Sequence, residues 1–126
     1  ATNASLTDLT DEFYLSEGGQ FMIDYFKRPW ENREGYASHS PLTFADRVTT
    51  PLLIQHGEAD PRVPIAGAWK FYRTLKAMGK TVELCTNALR LEQCLDSVRG
   101  RDVVVVASGV GTAPTFCRRP RRSTTA

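Results

Sequence analysis

The 126-residue chain is 41% hydrophobic and 24% charged, the composition of one small globular domain, which excludes collagen-like, coiled-coil and wholly disordered classes. Its formal charge of +2 is too small to make nucleic acid the expected partner. Much of that charge sits in Arg118, Arg119, Arg121 and Arg122, and without them the chain is slightly acidic. No apolar run approaches the roughly 20 residues of a membrane helix, so no membrane partner is expected.

Ala1–Thr10 lacks the charged start and apolar stretch of a signal peptide. Cys85, Cys94 and Cys117 are odd in number and match no zinc or redox spacing. Free thiols in a reducing compartment follow, and with them a cytoplasmic location.

In chain order, Ser16–Arg28 opens on a possible cap and carries Phe21, Met22, Tyr25 and Phe26 at helical spacing before Pro29, which predicts a helix ending near Arg28. Trp30–His39 reads as polar and irregular. Ser40-Pro41 offers an N-cap hydroxyl and a proline at the first helical position, so Leu42–Val48 is expected to form one or two helical turns. Leu52–His56 is a short continuous apolar run closed by Gly57, suited to a strand covered on both faces of a parallel sheet. Pro64 can open a helix with Ile65, Ala68, Trp69, Tyr72, Leu75 and Met78 at three- and four-residue intervals, and with Lys70, Arg73 and Lys76 opposite. Gly79 is placed to end that helix, and Thr81–Leu84 begins a second strand. Strand, loop, helix and strand make a crossover unit of an α/β fold.

Loops beyond the carboxyl ends of parallel strands converge over a crevice, which is where catalytic groups gather. The loop after Leu52–His56 carries Glu58, Asp60 and Arg62. Asp60 stands where a carboxylate could face a histidine from a neighbouring loop, while an aspartate between a strand and a helix is more often a turn or cap residue. His56, ending the strand, reads as a packed structural residue, and His39 as exposed and inert.

The run His56-Gly57-Glu58-Ala59-Asp60-Pro61-Arg62-Val63-Pro64 follows Ser40-Pro41-Leu42 and Thr50-Pro51-Leu52-Leu53-Ile54, and it precedes Leu75-Lys76-Ala77-Met78-Gly79-Lys80-Thr81-Val82-Glu83-Leu84. Together these resemble the carboxyl-terminal part of the prolyl oligopeptidase family, nearest its acylaminoacyl-peptidase and dipeptidyl-peptidase-like members, over about Thr10–Leu84. The resemblance implies an incomplete α/β-hydrolase fold and a Ser, Asp, His triad with Asp60 as its acid, acting on a peptide substrate. No cofactor and no metal are expected. Glu58 and Arg62 match variable positions and receive no catalytic role.

The chain also departs from that pattern. It contains no G-x-S-x-G nucleophile elbow, and its only histidines, His39 and His56, precede Asp60, whereas the family order is Ser, Asp, His. Where the triad histidine is expected, the chain reads Cys85-Thr86-Asn87-Ala88-Leu89-Arg90. The expected organisation is therefore a partial hydrolase domain over residues 1–84 and a divergent tail over 85–126, such as a reading-frame error or an alternative exon would produce. Within that tail, Val103–Val106 is a run of β-formers, read as an aggregation-prone strand or a stretch without meaning, and Ser108-Gly109-Val110-Gly111 is too short for a dinucleotide fingerprint. Arg118–Ala126 has a disordered composition. With neighbours of the Leu52–His56 strand largely lacking, a marginal core of Leu53, Ile54, Trp69, Tyr72 and Leu75 is expected. The functional expectation is a serine-peptidase segment bearing Asp60 and inactive alone; the alternatives are an esterase-like α/β-hydrolase segment and a non-catalytic module with a basic tail.

Overall fold

The computed structural model describes residues 6–86 and 104–107. Its elements run α1 (Leu9–Leu15), a 3-10 helix (Gly19–Phe21), α2 (Met22–Phe26), α3 (Arg33–Ser38), a second 3-10 helix (Pro41–Arg47), β1 (Leu52–Gln55), α4 (Ile65–Ala77), β2 (Val82–Cys85) and β3 (Val104–Ala107).

The three strands form one sheet in the order β2-β1-β3, and β1 pairs in parallel with both neighbours. Leu53 and Ile54 point to opposite faces of β1, yet both are fully buried, so the central strand is covered on both sides. The run expected at Val103–Val106 forms β3 one residue later, and it supplies the second edge partner that β1 was expected to lack. The other expectations for the tail, including Cys94, Cys117, the Gly109 segment and the terminal arginines, lie outside the described residues.

Helix α4 follows Pro64 as the sequence implies, and it ends at Gly79, whose φ of 70° is open to glycine at no steric cost. The Gly79 N–H donates to the Lys76 carbonyl at 3.0 Å and the Lys80 N–H to Leu75 at 2.9 Å, the paired bonds of a Schellman cap. The buried face of α4 is rotated from the expected one. Ala68, Phe71 and Leu75 turn inward, while Trp69 remains 40% exposed, since it lies about 100° round the helix from Ala68. Trp69 instead stacks under the Arg73 guanidinium, 5.4 Å from its ring centre. Of the expected core, Leu53, Ile54 and Leu75 are fully buried and Tyr72 packs at its edge. A second apolar cluster, Leu9, Met22 and Tyr36, lies among the amino-terminal helices.

Those helices differ most from the sequence reading. The expected Ser16–Arg28 helix divides into a 3-10 turn and α2, and Ser16 closes α1 instead of opening a helix. Gly19 explains the break: a Cβ there would strike the Phe13 carbonyl, so the chain doubles back tightly against α1. Helix α2 stops at Phe26 because Lys27 adopts φ 62°, ψ −161°. The stretch expected to be irregular contains α3, capped by Asn32, whose side-chain oxygen accepts from the Gly35 N–H at 3.0 Å. Ser40 precedes the second 3-10 helix as expected, but its hydroxyl does not cap it. It donates to the Tyr36 carbonyl at 2.7 Å and accepts from the Leu9 N–H at 2.9 Å, joining α3 to α1.

Candidate active site

The segment between β1 and α4 leaves the carboxyl end of the central strand. Its first residue, His56, extends the ladder, its N–H donating to the Cys85 carbonyl at 2.9 Å. The His56 ring is 1% exposed, and Nε2 lies 2.8 Å from the Val63 carbonyl. A carbonyl only accepts, so Nε2 carries the proton. The expectation of a packed structural histidine holds.

Asp60 lies at the turn of this loop and is partly buried. Its Oδ1 accepts from the N–H groups of Arg62 at 2.9 Å and Val63 at 3.0 Å. Two donors converging on one oxygen fix the carboxylate plane, as in an Asx turn. Among the described residues Oδ2 has no hydrogen-bond partner, so one acceptor of a held carboxylate stays available.

The remaining loop residues tie the site to its surroundings. Glu58 accepts from the Thr86 hydroxyl at 2.7 Å, spanning to the loop after β2. Arg62 pairs with Glu17 at 3.3 Å, and the Glu17 N–H donates to the Pro61 carbonyl at 2.9 Å. Glu12, which sequence reasoning passed over, stands close enough to feel the Asp60 charge. Burial and then that charge push its carboxyl above the ordinary 4.5, against an opposing bond from the Ser16 side chain. Only the fold could reveal this, because the two carboxylates come from distant parts of the chain.

Glu12, Ser16, Glu17, Gly18, Phe21 and Arg62 line a cavity of about 480 Å³ beside the loop. A second cavity of about 390 Å³, bordered by Tyr14, Trp30, Arg33 and Tyr36, shares no residue with the loop. His39 is exposed at the end of α3, bonded within its own turn to the Gly35 carbonyl at 2.9 Å, and Phe26 packs against its ring. Neither histidine faces Asp60 by a hydrogen bond. Among the described residues no group of His, Cys, Asp and Glu could hold a metal ion, and no helix is long and apolar enough to cross a membrane.

The model of the prolyl oligopeptidase family matches residues 1–89. An uncharacterized peptidase of Bacillus subtilis, YuxL, is 39% identical over 88 residues, which is 64% of this chain and 13% of YuxL. The acylamino-acid-releasing enzyme of Sus scrofa is 44% identical over 45 residues, 36% of this chain and 6% of that enzyme. The solved structure of Pyrococcus horikoshii acylaminoacyl peptidase superposes with a TM-score of 0.58 at 28% identity, covering 69% of this chain and 15% of that one. An acylaminoacyl peptidase in complex with Z-Gly-Gly-Phe-chloromethyl ketone gives the same TM-score at 27% identity, covering 77% and 16%. The chain thus spans a small part of the length of each relative. Its fold is that of the α/β-hydrolases, and it belongs to the prolyl oligopeptidase family of serine peptidases.

Proposed function

We propose that this chain supplies the acid of a Ser, Asp, His triad, Asp60, to a peptidase site whose serine and histidine the sequence does not provide. The observation that carries the reading is the pair of backbone N–H bonds on Asp60 Oδ1, at 2.9 and 3.0 Å, which holds the carboxylate at the carboxyl end of β1 with Oδ2 unengaged among the described residues. A triad acid has one task of that kind. It accepts the Nδ1–H of the catalytic imidazole, selects the tautomer whose Nε2 can take the serine proton, and stabilises the imidazolium formed as serine attacks the scissile carbonyl. The peptide bond then breaks through an acyl-enzyme that water hydrolyses.

The sequence holds no G-x-S-x-G, and no histidine follows His56. His56 cannot serve as the base from where it lies, because its Nε2 proton is committed to the Val63 carbonyl at 2.8 Å in a buried position. Triad members act as a unit, so an acid without nucleophile and base gives almost no rate. The chain alone is therefore expected to leave an activated N-acylaminoacyl ester unhydrolysed above the buffer rate. Turnover that vanishes in Asp60→Asn would overturn the reading that the chain carries the acid alone.

A further inference from the structure

We infer that His56 is a positioning residue for Asp60, acting through Val63. The three residues form one chain of hydrogen bonds. Val63 gives its N–H to Asp60 Oδ1 at 3.0 Å, and its carbonyl accepts from His56 Nε2 at 2.8 Å. A single peptide residue therefore receives the ring on one side and the carboxylate on the other.

The two ends of this chain differ in rigidity. His56 is 1% exposed, and its backbone N–H is bonded to the Cys85 carbonyl at 2.9 Å, so its Cα moves with the sheet. Asp60 sits in a loop whose neighbours Glu58, Ala59, Pro61 and Arg62 are all exposed. Pro61 and Pro64 have no N–H and cannot hold the loop by donating. The Glu17 N–H tethers the Pro61 carbonyl at 2.9 Å, and the imidazole tethers Val63, the residue whose N–H bonds Asp60.

Burial sharpens the role. His56 Nδ1 is buried with no hydrogen-bond partner among the described residues. An unpartnered buried lone pair costs less than an unpartnered buried N–H, so the site selects the tautomer with the proton on Nε2, the form that bonds Val63. The consequence for catalysis rests on the reading of Asp60 as the triad acid, while the positioning itself is tested without activity.

The test uses the whole chain in solution. Long-range nitrogen–proton NMR on the unaltered protein should find the His56 ring as the Nε2–H tautomer; an Nδ1–H ring would overturn the inference before any variant is made. His56→Gln places an amide nitrogen the same number of bonds from Cα as Nε2 and should retain the slow exchange of the Arg62 and Val63 amides. His56→Asn places its nitrogen one bond short and should speed exchange at both roughly tenfold, the loss of about one net hydrogen bond, with Leu53 and Leu75 amides unchanged. Equal acceleration at Leu53 and Leu75, or equal behaviour of the Gln and Asn variants, would reduce His56 to general packing and refute the proposal. If His56→Asn frees the loop but Asp60 proves dispensable in an active enzyme, the positioning stands and the triad assignment falls.

Discussion

The Glu17 backbone N–H donates to the Pro61 carbonyl at 2.9 Å, joining the turn after α1 to the loop that carries Asp60. The exposed Arg62–Glu17 ion pair at 3.3 Å spans the same junction, but at that exposure it adds little. The backbone bond is possible because Gly19 lets the chain double back against the Phe13 carbonyl. Gly19→Ala should therefore destabilise the fold by about 1–3 kcal/mol, the usual penalty of forcing atoms into filled space. Thermal unfolding would show it, and Gly18→Ala, whose Cβ meets only the Ser16 hydroxyl at 3.6 Å, is the control expected to do far less.

Lys27 holds φ 62°, ψ −161°, a region nearly reserved for glycine. It is kept there from both sides: the Tyr36 hydroxyl donates to its carbonyl at 2.9 Å, and the Asn32 amide to the Phe26 carbonyl at 3.0 Å. Lys27→Gly should stabilise the protein by roughly 1 kcal/mol, the strain relieved less the entropy glycine adds to the unfolded chain. Denaturant titration should show a higher midpoint at unchanged slope.

Lys70 reaches from α4 to Asp8 at 2.8 Å and Asp11 at 2.6 Å, fastening the amino-terminal helices to the sheet layer. Burial alone would raise Asp8, but the bonds from Lys70 and from the Thr10 N–H outweigh it and hold the carboxyl below its ordinary 3.8. A depressed folded pKa contributes stability that is present above the unfolded value and lost as pH falls through the folded one. Lys70→Met should cost roughly 1–2 kcal/mol at neutral pH, between exposed and buried pairs, and the deficit should shrink below about pH 4.

Glu12 carries the opposite sign. Burial, and behind it the Asp60 charge, raise its pKa above 4.5, so the folded state favours the proton and stability falls as pH rises through that window. Glu12→Gln should be more stable than the unaltered chain at pH 7 and equal to it at acid pH. Carbon-detected titration of Asp60→Asn should bring the Glu12 pKa down toward its ordinary value; no movement would mean the two carboxylates do not share the site.

The segment from Leu52 to Leu84 was legible in advance because local signals there agree with tertiary demand. Proline opens α4, glycine closes it, and the apolar run of β1 is short enough to be only a buried strand. The face of α4 differs at Trp69, whose four-residue spacing from Ile65 suggested burial, whereas the buried stripe centres on Ala68, Phe71 and Leu75. The amino-terminal helices were obscured because the signals there work at single residues. Gly19 acts through a close approach to Phe13, Lys27 through strain, and Asn32 through a cap hidden in a polar stretch. The place of Asp60, in the loop between β1 and α4, was readable from the strand and helix on either side of it. Its neighbour Glu12 and its support by His56 through Val63 were not, since both depend on pairings across the fold.

The proposed role of Asp60 as a triad acid can be measured in a chimera. Residues 10–84 of this chain would take the place of the matching segment of YuxL, within the 88-residue stretch over which the two are 39% identical. The chimera is expected to hydrolyse the same peptide substrates as unaltered YuxL. Asp60→Asn in it should lower kcat by about 10⁴-fold while leaving KM nearly unchanged, the signature of a misoriented imidazole. An Asp60→Asn chimera as active as its parent would contradict the assignment.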